Sequence, residues 1–140
     1  MRGSRAFITV GLAWLVAIGS AVIVSAQAKT EEDYDKLMKA VGAANGAIAK
    51  AADGATIAAE ARKLQALFKD AQGFWAARKN TEAAGWAASA MTHAAEIEKA
   101  ASANNMEGVA AHRKELGGVC QTCHKANREK TESGFAIRKS

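Results

Sequence analysis

Thr81-Glu82-Ala83-Ala84-Gly85-Trp86-Ala87-Ala88-Ser89-Ala90-Met91-Thr92-His93-Ala94-Ala95-Glu96-Ile97 is the stretch on which the fold assignment turns. Trp86, Ala90, His93, Ala94 and Ile97 recur every three or four residues, which is the period of a helix and not of a strand. Between them stand alanines, the strongest helix formers. The whole chain repeats the same bias: 35 of its 140 residues are alanine and none is proline. Few β-branched runs occur after residue 30. A sandwich or barrel is thereby excluded, and an α/β domain is disfavoured.

The same reading extends in both directions. Thr30-Glu31-Glu32-Asp33 resembles a capping box with an acidic first turn. Behind it Tyr34, Leu37, Met38, Val41, Ala44 and Ile48 mark a first helix ending near residue 50. Asp53-Gly54 reads as the break. Ile57, Ala61, Leu64, Leu67 and Phe68 form the stripe of a second helix. The span 72–80, with Gly73, Phe74 and Trp75, reads as a connection with aromatic anchors. Thr81-Glu82 opens the third helix. Asn104-Asn105 is a short link, with Asn104 and Glu107 as a capping pattern. Val109, His112, Leu116, Val119, Cys120 and Cys123 line a fourth helix that frays beyond Lys130. The tail 131–140 shows little periodicity. The expected fold is all-α, an antiparallel up-down-up-down four-helix bundle. Its core is thin, because alanine buries little apolar area.

Arg2 and Arg5 precede 23 uncharged residues, Ala6 to Ala28, that end in Ala26-Gln27-Ala28. Basic, apolar and small residues in that order read as a secretory signal over 1–28, leaving a domain at 29–140. Cleavage after Ala26 is an alternative, and so is an uncleaved anchor, since the stretch is long enough to span a bilayer. Gly11, Gly19, Ser20, Ser25 and Gln27 dilute it and favour cleavage. On either reading the domain is exported; with cleavage it is periplasmic and not stably inserted in the membrane. Loss of Arg2 and Arg5 lowers the net charge from +5 to +3. With no interleaved aromatic and basic patches, nucleic acid is not an expected partner.

Cys120-Gln121-Thr122-Cys123-His124 is a C-x-x-C-H sequence. Positions i, i+3 and i+4 share a helix face, so both thiols and the imidazole point one way. The thiols can form thioethers with the two vinyl groups of a haem, and His124 then becomes the proximal iron ligand. The expected cofactor is one covalent haem c with its iron. A thiol–disulfide centre wants a βα context that is missing here. Zinc wants four ligands, and only His93 and His112 could supplement the motif. A disulfide across one turn closes a tiny loop and gains little.

With that motif near its C-terminus, a helix like Tyr34–Ile48 at its start and a Trp-containing helix like Trp86–Ala103, the mature chain resembles the class II c-type cytochromes, cytochrome c′ and its low-spin relatives. In class I cytochromes c the motif lies near the N-terminus. Arg128 stands where the family has a basic residue four positions after the histidine, an element of the haem environment. Asn127 replaces the aromatic usual just before it, and Tyr34 replaces the arginine often found four residues before the distal position. The resemblance implies Met38 at that distal position, as the second axial iron ligand of a single-electron carrier; it lies closest to the low-spin, methionine-ligated members. The alternative is a five-coordinate cytochrome c′ binding NO or CO at an open distal site. Lys36 or Lys39 could serve a haem propionate, and Met91 and Met106 are other candidate sixth ligands. Dimers through the first helix are common in the family.

No substrate turnover, hence no enzyme, is expected. Residues 113–140 carry seven basic and three acidic side chains, against ten basic and eleven acidic over 29–112. A positive surface beside the haem-bearing helix could steer an acidic redox partner protein. Trp75, Trp86, Phe68 and Phe74 could line the haem pocket, with aromatic core as the simpler role. His93 reads as an interior or boundary histidine and His112 as a surface one.

Overall fold

A computed structural model describes residues 30–139; the expected signal segment 1–28 lies outside them. Four helices form: α1 Glu31–Lys50, α2 Gly54–Ala77, α3 Thr81–Ser102 and α4 Met106–Asn127. A short hairpin follows, β1 Arg128–Thr131 and β2 Gly134–Ile137. Among the described residues no helix is long and apolar enough to cross a membrane.

The helix starts follow local chemistry. Thr30 caps α1 in a full capping box: its hydroxyl accepts from the Asp33 N–H at 3.0 Å, and the Asp33 carboxylate accepts from the Thr30 N–H at 3.2 Å. Asp53 is the N-cap of α2, accepting from the Thr56 N–H at 2.8 Å. Gly54 is therefore the first helical residue and not a relaxed turn. It is buried, and a Cβ there would run into the Ala101 carbonyl oxygen, so glycine is what lets α2 begin against the end of α3.

The links α2–α3 and α3–α4 use one device twice. Lys79 and Asn104 adopt left-handed φ values of 58° and 54°. The Lys79 and Asn80 N–H groups donate to Ala76 O and Trp75 O, and those of Asn104 and Asn105 to Ala101 O and Ala100 O. These are paired Schellman bonds that satisfy the last carbonyls of each helix. The asparagine that closes each motif then caps the next helix: Asn80 accepts from the Ala83 N–H, and Asn105 from the Gly108 N–H. The cap of α4 is thus Asn105, not Asn104, whose backbone turns the chain instead.

Two longer stretches also depart from expectation. Residues 72–77 continue α2 rather than connect it to α3. Glycine inside a helix costs only about 1 kcal/mol, and burial of Phe74 and Trp75 outweighs it. The tail also has structure: β1 and β2 pair antiparallel with Thr131 opposite Gly134, and the Arg138 N–H donates to Asn127 O at 2.8 Å, tying the hairpin to the end of α4.

Three-residue connections bring each helix back along its predecessor. Packing is densest between α2 and α3, followed by α3 with α4 and α1 with α2, while α1 and α4 hardly touch. Nine of the nineteen buried apolar residues are alanines, so the helices approach closely without bulky side chains between them. One apolar cluster joins Ile48, Ile57, Leu64, Ile97, Val109 and Leu116. A second, around Leu37, Phe74, Trp75 and Ala83, lies toward the other end of the bundle. Where α1 and α4 fail to meet, a cavity opens.

Candidate cofactor site

The cavity has a volume of about 570 Å³. Its walls come from the first three-quarters of α1, the second half of α2, the first half of α3, the end of α4 and the hairpin. That combination of helix ends is what an up-down-up-down bundle brings together. Such a volume falls in the range of about 300–1,000 Å³ typical of small-molecule sites.

Cys120, Cys123 and His124 all line it, so α4 delivers the motif to one cavity as the i, i+3, i+4 spacing requires. All three are half-buried, and the cysteines are free thiols. Met38 lines the same cavity from α1, with Tyr34 one turn before it and Val41 one turn after. These α1 side chains are half-buried, although Leu37, Ala44 and Ile48 on the same helix are fully buried. On α4 only Val109 and Leu116 are fully buried; Val119, Cys120 and Cys123 are not. The two helices thus leave their apolar faces uncovered where they flank the cavity.

Phe68, Trp75 and Trp86 line the site, whereas Phe74 lies behind it. Phe74 stacks on Tyr34, with centroids 4.2 Å apart at 21°, and carries the Arg78 guanidinium 3.5 Å above its centroid. Trp75 Nε1 donates to the Tyr34 hydroxyl oxygen at 2.8 Å. Burial pushes the Tyr34 phenol up to about 12, against the smaller opposing effect of the Trp75 hydrogen bond.

Burial also raises both thiols above their ordinary range. The motif occupies the last two turns of α4, where the helix dipole opposes negative charge. Reactive thiolate pairs need the opposite environment. Burial, and after it the Arg128 charge, hold the His124 imidazole below its usual value, which keeps a ring nitrogen free to coordinate. Asn127 fixes the motif's end: its Nδ2 donates to Cys123 O at 3.2 Å, and its Oδ1 accepts from Asn80 Nδ2 at 2.8 Å.

Arg128 lines the cavity at its rim, its guanidinium 4.0 Å above the Phe135 ring, and Phe135 is 59% exposed. Lys39 reaches the rim, ion-paired with Asp35 at 2.6 Å, while Lys36 pairs with Glu32 at 2.7 Å away from the cavity. Neither Met91 nor Met106 lines the site, and Met106 is 42% exposed. His93 and His112 lie elsewhere, between α3 and α4, and both are half-buried. The hairpin wall of Phe135, Ala136 and Ile137 and the Asn80–Asn127 bridge carry no local signal in the sequence. Among the described residues, no group of three or more His, Cys, Asp or Glu side chains could enclose a metal ion without a cofactor. Comparison with protein-family models, curated proteins and solved structures found no match to the chain.

Proposed function

We propose that the chain is an exported mono-haem c-type cytochrome, similar to the low-spin class II members, that carries single electrons between redox proteins. One observation carries the reading: a single cavity of about 570 Å³ receives both thiols and the imidazole of C-x-x-C-H from α4, and the thioether of Met38 from α1. Protein interiors hold few voids larger than a water molecule. The uncovered apolar faces of α1 and α4 therefore call for a bulky apolar group between them, and a haem fits that description. In this account Cys120 and Cys123 hold the haem through thioether links, His124 is its proximal iron ligand and Met38 its distal one. When bound, the haem iron supplies a ferrous–ferric couple, whose potential histidine–methionine ligation raises. Phe68, Trp75 and Trp86 exclude water, and the hairpin covers one side. Arg128 and Lys39 offer positive charge at the rim, suited to carboxylates. The raised thiol pKa values and the C-terminal placement of the motif count against a thiol–disulfide role.

The absorption spectrum of the ferrous protein tests the proposal. A sharp low-spin α-band that carbon monoxide leaves unchanged is expected. A broad high-spin spectrum with ready CO binding would instead identify a five-coordinate cytochrome c′ with an open distal site. Met38→Ala is expected to convert the first behaviour into the second.

A further inference from the structure

Two side-chain amides form a relay that ends on the C-x-x-C-H motif. Asn80 begins it, as the N-cap of α3: its Oδ1 accepts from the Ala83 backbone N–H at 3.0 Å. A backbone N–H can only donate, so this bond fixes which end of the Asn80 amide is oxygen. Asn80 Nδ2 then donates to Asn127 Oδ1 at 2.8 Å. That bond fixes the second amide in turn, oxygen toward Asn80 and nitrogen toward Cys123. Asn127 Nδ2 donates to the Cys123 carbonyl at 3.2 Å and lies 3.8 Å from Cys123 Sγ. Turning either amide over would set donor against donor at one end.

Asn127 lines the cavity together with Cys123 and His124, and both asparagines are half-buried, so water screens the amide dipoles only in part. The Asn127 backbone is held too, its carbonyl accepting from the Arg138 N–H at 2.8 Å. The Cys123 carbonyl belongs to the last turns of α4, the negative end of the helix dipole. The Asn127 N–H groups therefore bring partial positive charge to the cavity wall where the helix presents partial negative charge. The carbonyl contact is the stronger of the two, because 3.8 Å is long for any hydrogen bond. Hydrogen bonds beside a haem and its attachment points are among the levers that set its reduction potential.

We propose that Asn127, oriented by Asn80, is a positioning residue for electron transfer that raises the reduction potential of the cofactor. The inference rests on the covalent haem proposed above. Asn127 acts through Cys123: its Nδ2 steadies the turn that carries Cys123 and His124. The positive end of its dipole disfavours the ferric state, which holds one charge more than the ferrous. Neither amide gains or loses a proton, so the relay is a fixed dipole set by the cap of α3.

The test is a spectroelectrochemical titration of the haem-loaded exported protein and its variants at one pH and ionic strength. Asn127→Leu keeps the size of the side chain and removes both N–H groups. Asn80→Ser keeps a good N-cap for α3 but is too short to reach Asn127. At the midpoint potential of the parent protein, the ferrous-to-ferric ratio should fall about threefold or more in Asn127→Leu, the scale of one hydrogen bond. Asn80→Ser should lower it by a smaller, measurable factor, with the α-band retained in both. The double variant should match Asn127→Leu alone, because the two links act in series. An unchanged or raised ratio in either variant, or full additivity in the double, would overturn the proposal. If Asn127→Leu fails to fold, Asn80→Ser still decides. A parent protein without haem would overturn the reading beneath it, an outcome seen before any variant is titrated.

Discussion

Asn80 and Asn127 lie 47 positions apart and meet side chain to side chain, Asn80 Nδ2 donating to Asn127 Oδ1 at 2.8 Å. Asn80 also caps α3, and Asn127 also holds the Cys123 carbonyl. The end of the motif-bearing helix is thereby tied to the turn between α2 and α3. Asn127→Ala is expected to cost about 0.5–1.5 kcal/mol, the net worth of a typical hydrogen bond. Asn80→Ala should cost more, because about 1 kcal/mol for the cap is added. Denaturant midpoints at constant m-value measure both.

Backbone geometry makes opposite demands at two positions. A Cβ at Gly54 meets the Ala101 carbonyl oxygen, a backbone atom that cannot swing aside. Gly54→Ala should therefore destabilise by about 1–3 kcal/mol, as overpacking does. Lys79 is exposed and holds φ at 58°, where glycine carries no steric penalty. Lys79→Gly should stabilise by about 0.5–1 kcal/mol. Thermal unfolding of the pair should move Tm in opposite directions.

Tyr34 is the one tyrosine of the chain, so its ionisation is read directly from tyrosinate absorbance. The midpoint should lie near 12, not the usual 10, because burial disfavours the phenolate. A pKa raised by folding contributes stability that is fully present below about pH 10. That contribution is lost as pH climbs through the folded value, because the unfolded chain releases its proton first. The loss by pH 12 is about 2–3 kcal/mol. Tyr34→Phe should lack this alkaline limb while losing the Trp75 hydrogen bond at all pH values.

Electron transfer to an acidic partner should slow as salt rises, since charge attraction beyond about 10 Å is screened at 0.1 M. Lys130→Glu with Arg138→Glu, at exposed positions in β1 and just after β2, should reduce the second-order rate at low salt and flatten its salt dependence. A rate indifferent to salt in the parent protein would remove the steering account.

Four helices were readable because their apolar periodicity and caps are local. Thr30 and Asp33 cap α1 as their spacing suggests, and Thr81-Glu82 opens α3 one residue after its cap. The end of α2 was not readable: Gly73, Phe74 and Trp75 look like a loop until the bundle buries the two aromatics. The hairpin was hidden for a different reason. Its β1 residues Arg128, Glu129 and Lys130 are all exposed and show no alternation, and Glu132-Ser133 at its turn lacks the usual Asn-Gly signal. Within the site, the placement of Cys120, Cys123 and His124 on one face follows from helical spacing. For Met38, periodicity indicates only a place on the apolar stripe of α1; the distal position comes from the resemblance alone, and packing of the helices sets the side chain on the cavity wall. The Tyr34–Trp75, Asn80–Asn127 and His93–His112 contacts span 41, 47 and 19 residues and arise only when the helices pack.

Everything proposed for this chain rests on a haem held covalently by Cys120 and Cys123. Denaturing electrophoresis of the purified exported protein, stained for haem peroxidase activity, tests it most directly, because only a thioether-linked haem stays with an unfolded chain. A stained band at the mass of the chain is expected, lost when Cys120→Ser and Cys123→Ser are combined. An unstained chain with both thiols free to react with an alkylating reagent would contradict it.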